Sequence, residues 1–375
     1  MKIAIVHDEL LRKGGAEQVV RCMHMAFPMS KIYTMAYNKE LTYPYYKSTE
    51  IVTSNMQKIA NNEISMKRLF FPFGIIAMRN LKIPNEIDIL LISTTHAGKY
   101  INVSDRTIVI TYCYTPFRLV WSPNSYSEYV DSKGVKKWIF NLVIKLIKKI
   151  DFKAAQRTDY FIAMTEETKQ RIKDSYHPRN EIIIIKPPVN IGNFYISPKQ
   201  GNYYLLVSRL EFYKKVDLVI KAFNVLGFKL IVVGKGSKEN ELKELANENI
   251  EFKHGLSSED LASIYSEAKA FIFPQHEDYG ITPLEANASG RPVIAYGKGG
   301  VLDTMIPYTD DAKKATALFF MDQEVESLIN AVRKFESLKF DSNFIRRHAE
   351  NFDEPIFISK IRNFIDAKYK ASLDK

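Results

Sequence analysis

Two short stretches of the chain hold residue types that together can manage a diphosphate. In HEDYGITPLEANASGRPVIA (276–295), Glu277 precedes Gly280 and Glu285 follows it. The stretch comes directly after the apolar run AFIFP (270–274). It therefore lies at the carboxyl end of an expected strand, where ligands bind in open α/β sheets. Gly280 permits a tight turn, and a helix is expected to begin at Ile281 or Thr282. The free backbone N–H groups and positive dipole end of such a helix attract phosphate. Glu285, one turn in, can reach ribose hydroxyls, and Glu277 those of a sugar lying across the helix end. Alone, the two glutamates read better as a solvated helix residue and a loop carboxylate. The glycine turn, the proline and SGRPVIA behind them carry the ligand-binding reading.

The second stretch is VSRLEFYKKVDLVIKAF (207–223). Arg209 ends an expected strand, and Lys214 and Lys215 occupy the loop after it. A planar guanidinium and flexible ammonium groups converge on phosphate oxygens in many unrelated sites. Cations held in place also stabilise the charge that grows on a departing phosphate. A surface ion pair is the plainer reading of Arg209 alone.

Three further features are weaker. Gly14–Gly15, in LRKGGAEQVV, falls between the first strand and the first helix, where backbone can approach a ligand closely. An ordinary turn is the default there. This pair is no G-x-G-x-x-G fingerprint, and GKG (234–236) is too short for one, which counts against a dehydrogenase. His96, in STTHAGK, follows the run DILLIS; a structural histidine is the competing reading. The segment 135–157 is a long amphipathic helix. Val135, Trp138, Ile139, Leu142, Val143, Leu146, Ile147 and Ile150 form one stripe, with Lys136, Lys137, Lys145, Lys148, Lys149 and Lys153 elsewhere round it. That pattern suits an anionic bilayer surface, and equally a domain helix whose stripe faces the core.

The elements that must position these residues alternate along the chain. KIAIV (2–6), DILLIS (88–93), RTIVITYC (106–113) and YFIAM (160–164) are strand candidates in the first half. YYLLVSRL (203–210), FKLIVVG (228–234), AFIFP (270–274) and PVIAY (292–296) are their counterparts in the second. Continuous apolar runs of this kind fit strands buried on both faces of a parallel sheet. Helical periodicity fills the gaps, as in 16–26, 216–226, 258–268 and 324–335. Thr165, followed by Glu166 and Glu167, reads as an N-cap. Strand–helix alternation predicts doubly wound, Rossmann-like α/β domains. A length of 375 residues calls for two of them. Pro187–Pro188, Pro198 and Gly201–Asn202 mark the break. The expected domains are 1–187, rejoined by the terminal helix 354–375, and 188–353.

The composition, 46% hydrophobic and 26% charged, is that of an ordinary globular protein. A net charge of +10 suits a phosphate-bearing substrate or an anionic membrane surface. No nucleic-acid motif accompanies it, so no nucleic-acid partner is expected. Cys22 and Cys113 lie apart in apolar stretches and read as buried thiols. With no signal peptide pattern and no apolar span, a cytoplasmic location is expected.

The segment 277–295, E-D-Y-G-I-T-P-L-E-A-x-A-S-G-R-P-V-I-A, closely resembles the donor-binding signature of family 4 retaining glycosyltransferases. MKIAIVHDELLRKGGAEQVV (1–20), the Arg/Lys segment, VVGKGS (232–237) and KHGLSSEDLASIYSEAKAFIFP (253–274) extend the resemblance over nearly the whole chain. IDILLISTTHAGKY (87–100) and YCYTPFRLVW (112–121) are most similar to the bacterial O-antigen mannosyltransferases.

The resemblance implies a GT-B fold, two such domains facing each other across a cleft, with acceptor on the first and nucleotide on the second. It implies a hexosyl transfer with retention, from GDP-mannose to a lipid-linked oligosaccharide at the inner face of the cytoplasmic membrane. A UDP-sugar donor and a nucleotide-sugar 2-epimerase are the alternatives. The implied catalytic residues are Arg209, Lys214, Glu277 and His96. Gly14, Gly15, Lys215, Gly280, Ile281, Thr282, Leu284 and Glu285 would bind the donor, and Tyr114 would lie on the acceptor side. Related mannosyltransferases often carry C-H-T-P where this chain reads C-Y-T-P. Tyr114 can donate a hydrogen bond but stays uncharged near neutral pH. No D-x-D element for holding a metal occurs in the chain. Neither metal nor cofactor is therefore expected.

Overall fold

The computed structural model describes residues 1–60, 62, 65, 66, 73–125 and 127–374. The chain divides into two units, Met1–Pro188 with Phe357–Lys375, and Val189–Ile356. Lys375, the last residue of the expected terminal segment, lies outside the described residues.

The first unit is built on parallel strands β1 (Ile3–His7), β2 (Lys31–Thr34), β3 (Ile51–Thr53), β4 (Ile89–Thr94), β5 (Ile108–Cys113), β6 (Tyr160–Ala163) and β7 (Ile183–Ile184). Their order in the sheet is β3-β2-β1-β4-β5-β6-β7. The chain thus leaves β1 toward β2 on one side and returns to β4 on the other. The carboxyl ends of β1 and β4 are the switch point at which open sheets make a crevice. In register, His7 faces Ser93. Central β4 is buried along its whole length, as a strand covered on both faces requires.

The second unit repeats the plan with β8 (Tyr204–Val207), β9 (Leu230–Val233), β10 (Ile250–Lys253), β11 (Phe271–Phe273), β12 (Val293–Tyr296) and β13 (Ala317–Phe320), all parallel. The order is β10-β9-β8-β11-β12-β13, so its switch point lies between β8 and β11. The helix Val216–Leu226 buries Val216, Leu218, Val219, Ile220, Ala222 and Phe223.

Of these strands, β2, β3, β7, β10 and β13 escape the sequence reading. All but β2 are edge strands. An edge strand is short and partly solvated, so no long apolar run marks it. The expected cap is present: Thr165 Oγ1 accepts from Thr168 N at 3.2 Å. Cys22 and Cys113 are buried free thiols, and burial pushes Cys113 up to about 12.

The terminal helix Glu354–Leu373 returns to the first unit. It buries Phe357, Ile361 and Ile365 there. The Phe357 ring meets Tyr112 edge-on, and Arg362 donates to the carbonyl of Ala26 at 2.9 Å.

In the long helix Gly134–Ala155 the stripe is divided. Ile147 is fully buried, and Val143, Ile144 and Ile150 pack against the core. Val135 is 74% exposed and Trp138 65%, with Ile139, Leu142 and Leu146 exposed beside them.

Candidate functional site

The Arg/Lys segment and the first glutamate meet at the switch point of the second unit. Arg209 lies just past the end of β8, exposed, and its Nη2 donates to the Tyr213 hydroxyl at 2.7 Å. Lys214 closes the short 3-10 turn Phe212–Lys214 and forms an ion pair with the Glu277 carboxylate. Strands β8 and β11 are neighbours, so the loops that leave them come together although far apart in sequence.

Lys215 follows with φ of 54°, at the cap position of the next helix. A left-handed conformation costs a non-glycine residue about 1–2 kcal/mol. Its ammonium lies 4.8 Å from the centroid of the Phe212 ring.

Gly280 has φ of 87°, and a Cβ there would stand 3.0 Å from the Phe273 ring. The turn demands glycine on both counts. The helix Ile281–Ala288 starts immediately after it, with Ile281 and Thr282 half-buried. The Leu284 side chain is fully buried, so only its backbone faces the helix end. Glu285 accepts a hydrogen bond from the Tyr265 hydroxyl at 2.8 Å. Burial pushes the Glu285 carboxyl up, and the Tyr265 bond partly offsets this.

Sequence reasoning missed what holds Glu277. The segment after β12 bridges to it: Gly300 N donates to Glu277 O at 2.8 Å. Gly299 has φ of 78°, and a Cβ there would come within 2.3 Å of that carbonyl. The signal was present as GKGG (297–300), a glycine pair beyond an apolar run.

The first unit places His96 at its own switch point, in the loop beyond β4. Asp8, which follows β1, organises that loop. Its Oδ1 accepts from Thr94 Oγ1 at 2.6 Å, Ala97 N at 2.9 Å and Gly98 N at 2.7 Å. Its Oδ2 accepts from Thr95 N at 2.7 Å, Thr95 Oγ1 at 2.9 Å and His96 N at 3.2 Å. The His96 ring lies between two carboxylates, Nδ1 3.1 Å from Asp8 and Nε2 3.5 Å from Glu9. Burial alone would lower the imidazole, but the Asp8 and Glu9 charges raise it above its ordinary value. Burial raises Asp8 likewise, yet the His96 charge and hydrogen bond hold its carboxyl well below the usual range.

Behind this pair, Arg12 reaches Glu17 at 3.1 Å and Glu9 at 3.6 Å. Gly14 caps the helix Gly15–Ala26 in extended conformation, and a Cβ there would meet the Glu17 carboxylate at 2.5 Å. Burial raises Glu17, against the lowering effect of Arg12. Asp8, Glu9, Arg12 and Glu17 were missed as site residues. The string HDEL at the end of the first strand was the signal for Asp8 and Glu9.

Tyr114 is buried. Its hydroxyl donates to Ala16 O at 3.1 Å and shares a 2.8 Å hydrogen bond with Ser93 Oγ. Its polar atom is thus used to tie the start of the first helix to β4.

Residues 193–352 match the family described as "Glycosyl transferases group 1". Among curated proteins, the chain is 25% identical over 220 residues to the O-antigen chain mannosyltransferase RfbU of Salmonella typhimurium, covering 56% of this chain and 58% of that protein. The chain thus spans little more than half the length of that relative. It is 24% identical over 379 residues to the alpha-1,3/1,6-mannosyltransferase ALG2 of Dictyostelium discoideum, covering 82% of this chain and 84% of that one. Two solved structures share the fold. Sucrose-phosphate synthase from Thermosynechococcus elongatus has a TM-score of 0.73 at 15% identity, covering 99% and 100% of the two chains. Anabaena HepE in complex with UDP and glucose has a TM-score of 0.70 at 15% identity, covering 98% and 99%. Residues 193–352 thus match the group 1 glycosyl transferase model, and the chain as a whole has the GT-B fold, with two parallel α/β sheets, that these solved structures share.

Proposed function

We propose that the protein is a retaining, metal-independent α-mannosyltransferase. It takes mannose from GDP-mannose and passes it to a lipid-linked oligosaccharide in surface polysaccharide synthesis. The observation that carries the reading is the convergence of Arg209, Lys214, Lys215, Glu277 and the Gly280 turn at one switch point. These groups supply two needs of the reaction, cationic charge beside a leaving diphosphate and a carboxylate beside the transferred sugar. The second unit is assigned the nucleotide and the first the acceptor. Glu285 binds ribose, held by Tyr265. His96, Gly14 and Gly15 are assigned to the sugar on the strength of the sequence resemblance.

In this mechanism the acceptor hydroxyl attacks the anomeric carbon from the face the diphosphate leaves. The C–O bond to the phosphate breaks as the bond to the acceptor oxygen forms, and the leaving phosphate takes the acceptor's proton. Arg209, Lys214 and the helix N-terminus stabilise the negative charge that develops. The pairing of Lys214 with Glu277 holds the two groups together, so that one cation and one carboxylate are presented side by side to phosphate and sugar.

The mannosyl assignment is supported by the RfbU and ALG2 similarities. A UDP-sugar is the second reading, favoured by the HepE complex with UDP and glucose. A lipid-linked acceptor brings the enzyme to a membrane, and the exposed apolar row of the helix Gly134–Ala155 fits an anionic bilayer surface. Among that helix's lysines, Lys145, Lys149 and Lys153 form no ion pair with any described residue. Among the described residues, no helix is long and apolar enough to cross a membrane.

A thermal-shift panel tests donor choice, because a ligand of the native state raises its melting point. GDP and GDP-mannose should stabilise the protein more than UDP, ADP and their sugars; preference for UDP would move the assignment to the second reading. Turnover should continue in excess EDTA. Loss on chelation with recovery in Mg²⁺ would refute the cation argument. Donor conversion without an acceptor to its 2-epimer would refute transfer itself.

A further inference from the structure

The His96 loop is held from both sides, and only one side belongs to the site described above. Asp8 takes the His96 N–H. The His96 carbonyl is taken instead by Lys99, whose ammonium donates to it at 3.1 Å. Lys99 follows in the same loop, within the 3-10 turn Gly98–Tyr100, and is buried.

The Lys99 ammonium is in turn anchored by Asp151, 2.9 Å away on the helix Gly134–Ala155. Asp151 is wholly inaccessible and fully used. Its Oδ1 accepts from Tyr100 OH at 2.7 Å, and its Oδ2 from Trp121 Nε1 and Tyr176 OH, each at 2.8 Å. The rings of Tyr100, Phe117 and Tyr176 surround the ammonium, with centroids 5.3, 5.9 and 5.8 Å from it. Phe117 also lies against the face of the His96 ring, 5.7 Å between centroids.

A buried ion pair is a poor way to gain stability, because an apolar pair of the same volume often serves as well. An apolar residue at position 99 could fill the space but could not bind the His96 carbonyl. We propose that Lys99, anchored by Asp151, is a positioning residue that sets the His96 imidazole between Asp8 and Glu9. The inference rests on the assignment of His96 to the reacting sugar. It adds the residues that orient it, and it joins the His96 loop to the same helix that carries the exposed apolar row.

The test uses the full chain with Lys99→Met and Asp151→Asn together, which removes both charges and strands neither. Two effects on His96 then oppose each other. Among the described residues, Asp8 and Glu9 beyond β1 face the ring, with Arg12 behind Glu9 and Lys99 on its own loop; the segment after β5 presents the Phe117 ring. Loss of the Lys99 charge alone raises the imidazole, since that ammonium disfavours the imidazolium. Release of the ring from Asp8 and Glu9 lowers it. Histidine-resolved NMR titration, assigned with His96→Gln, reads the sign. The expected result is a downward shift, with kcat lowered about tenfold and the donor KM within about twofold. Trp121→Phe, which removes one donor from Asp151 and leaves both charges, should shift the titration the same way by less, and it serves if the double variant does not fold. An unchanged or raised His96 titration in the folded variants overturns the proposal, whatever the rate. If His96→Ala retains wild-type turnover, the catalytic assignment fails separately, and the titration still decides the positioning.

Discussion

Asp8→Asn probes the structure at the point where most interactions converge. The wild-type carboxylate accepts six hydrogen bonds from the segment Thr94–Gly98, four of them from backbone N–H groups. It also faces the His96 ring. Asparagine keeps one acceptor oxygen and turns an NH₂ group toward the donors on the other side. Whichever way the amide lies, backbone N–H groups lose an acceptor: Ala97 on one side, where Gly98 keeps Thr94 Oγ1 at 3.1 Å, and Thr95 and His96 on the other. Each stranded buried donor costs roughly 1–3 kcal/mol, and breaking a buried charge pair costs about 3–5 kcal/mol. The two describe overlapping losses, so about 3–5 kcal/mol is expected rather than their sum.

For a unit of this size that is a fall of about 6–20 °C in melting temperature. Trp121 and Trp138, the chain's two tryptophans, both lie in the first unit, so intrinsic fluorescence follows that unit's unfolding. The pH dependence supplies a second check. Asp8 titrates below its unfolded value, so its stabilisation is complete above the unfolded pKa of about 4 and is lost as pH falls through the folded one. His96 titrates above its unfolded value, so its share is complete below about pH 6.5 and is lost as pH rises through the folded value. The gap between wild type and variant should therefore be widest between those limits, shrink with acid, and narrow again above neutrality. A gap under about 1 kcal/mol at pH 5–6, or one that does not change with pH, would refute the account of the Asp8 clamp.

Two further outcomes are expected. Glu285→Ala should weaken GDP binding, since its proposed partner is ribose, whereas Glu277→Ala should lower kcat more than it lowers nucleotide affinity. Calorimetry on both variants separates the cases, and equal loss of affinity would undo the assignment. The protein should sediment with anionic vesicles at low salt, because each basic residue near such a surface contributes about 1 kcal/mol, screened within about 10 Å at moderate salt. Changing Lys145, Lys148 and Lys149 to Glu, or Trp138 and Leu142 to Ser, should release it without changing GDP binding; a wild-type protein indifferent to anionic vesicles would mean the exposed row serves something else.

Much of this molecule is legible in one dimension. Central strands of a parallel sheet are buried on both faces, so β1, β4, β5, β6, β8, β9, β11 and β12 stand out as apolar runs. The loop that must follow each strand inherits its place at the sheet's carboxyl edge. That is enough to put Arg209, Lys214, Glu277, Gly280 and His96 at strand ends, and Thr165 at a cap. What the chain pattern leaves open is which strand ends are neighbours. Any order of the same runs satisfies the same periodicity, whereas the observed β1–β4 and β8–β11 adjacencies alone bring Asp8 to the His96 loop and Lys214 to Glu277. Burial is equally non-local. The stripe on the helix Gly134–Ala155 repeats evenly along the sequence, yet Ile147 is in the core and Trp138 is in water. Likewise nothing in the sequence sets Lys99 and Asp151 apart from any other charged pair, and only packing encloses them among Tyr100, Trp121 and Tyr176. Local pattern fixes an element and its ends, because backbone geometry is periodic. Partnership across a sheet is decided only when the chain has closed on itself, because it depends on which distant segments compete for the same neighbour.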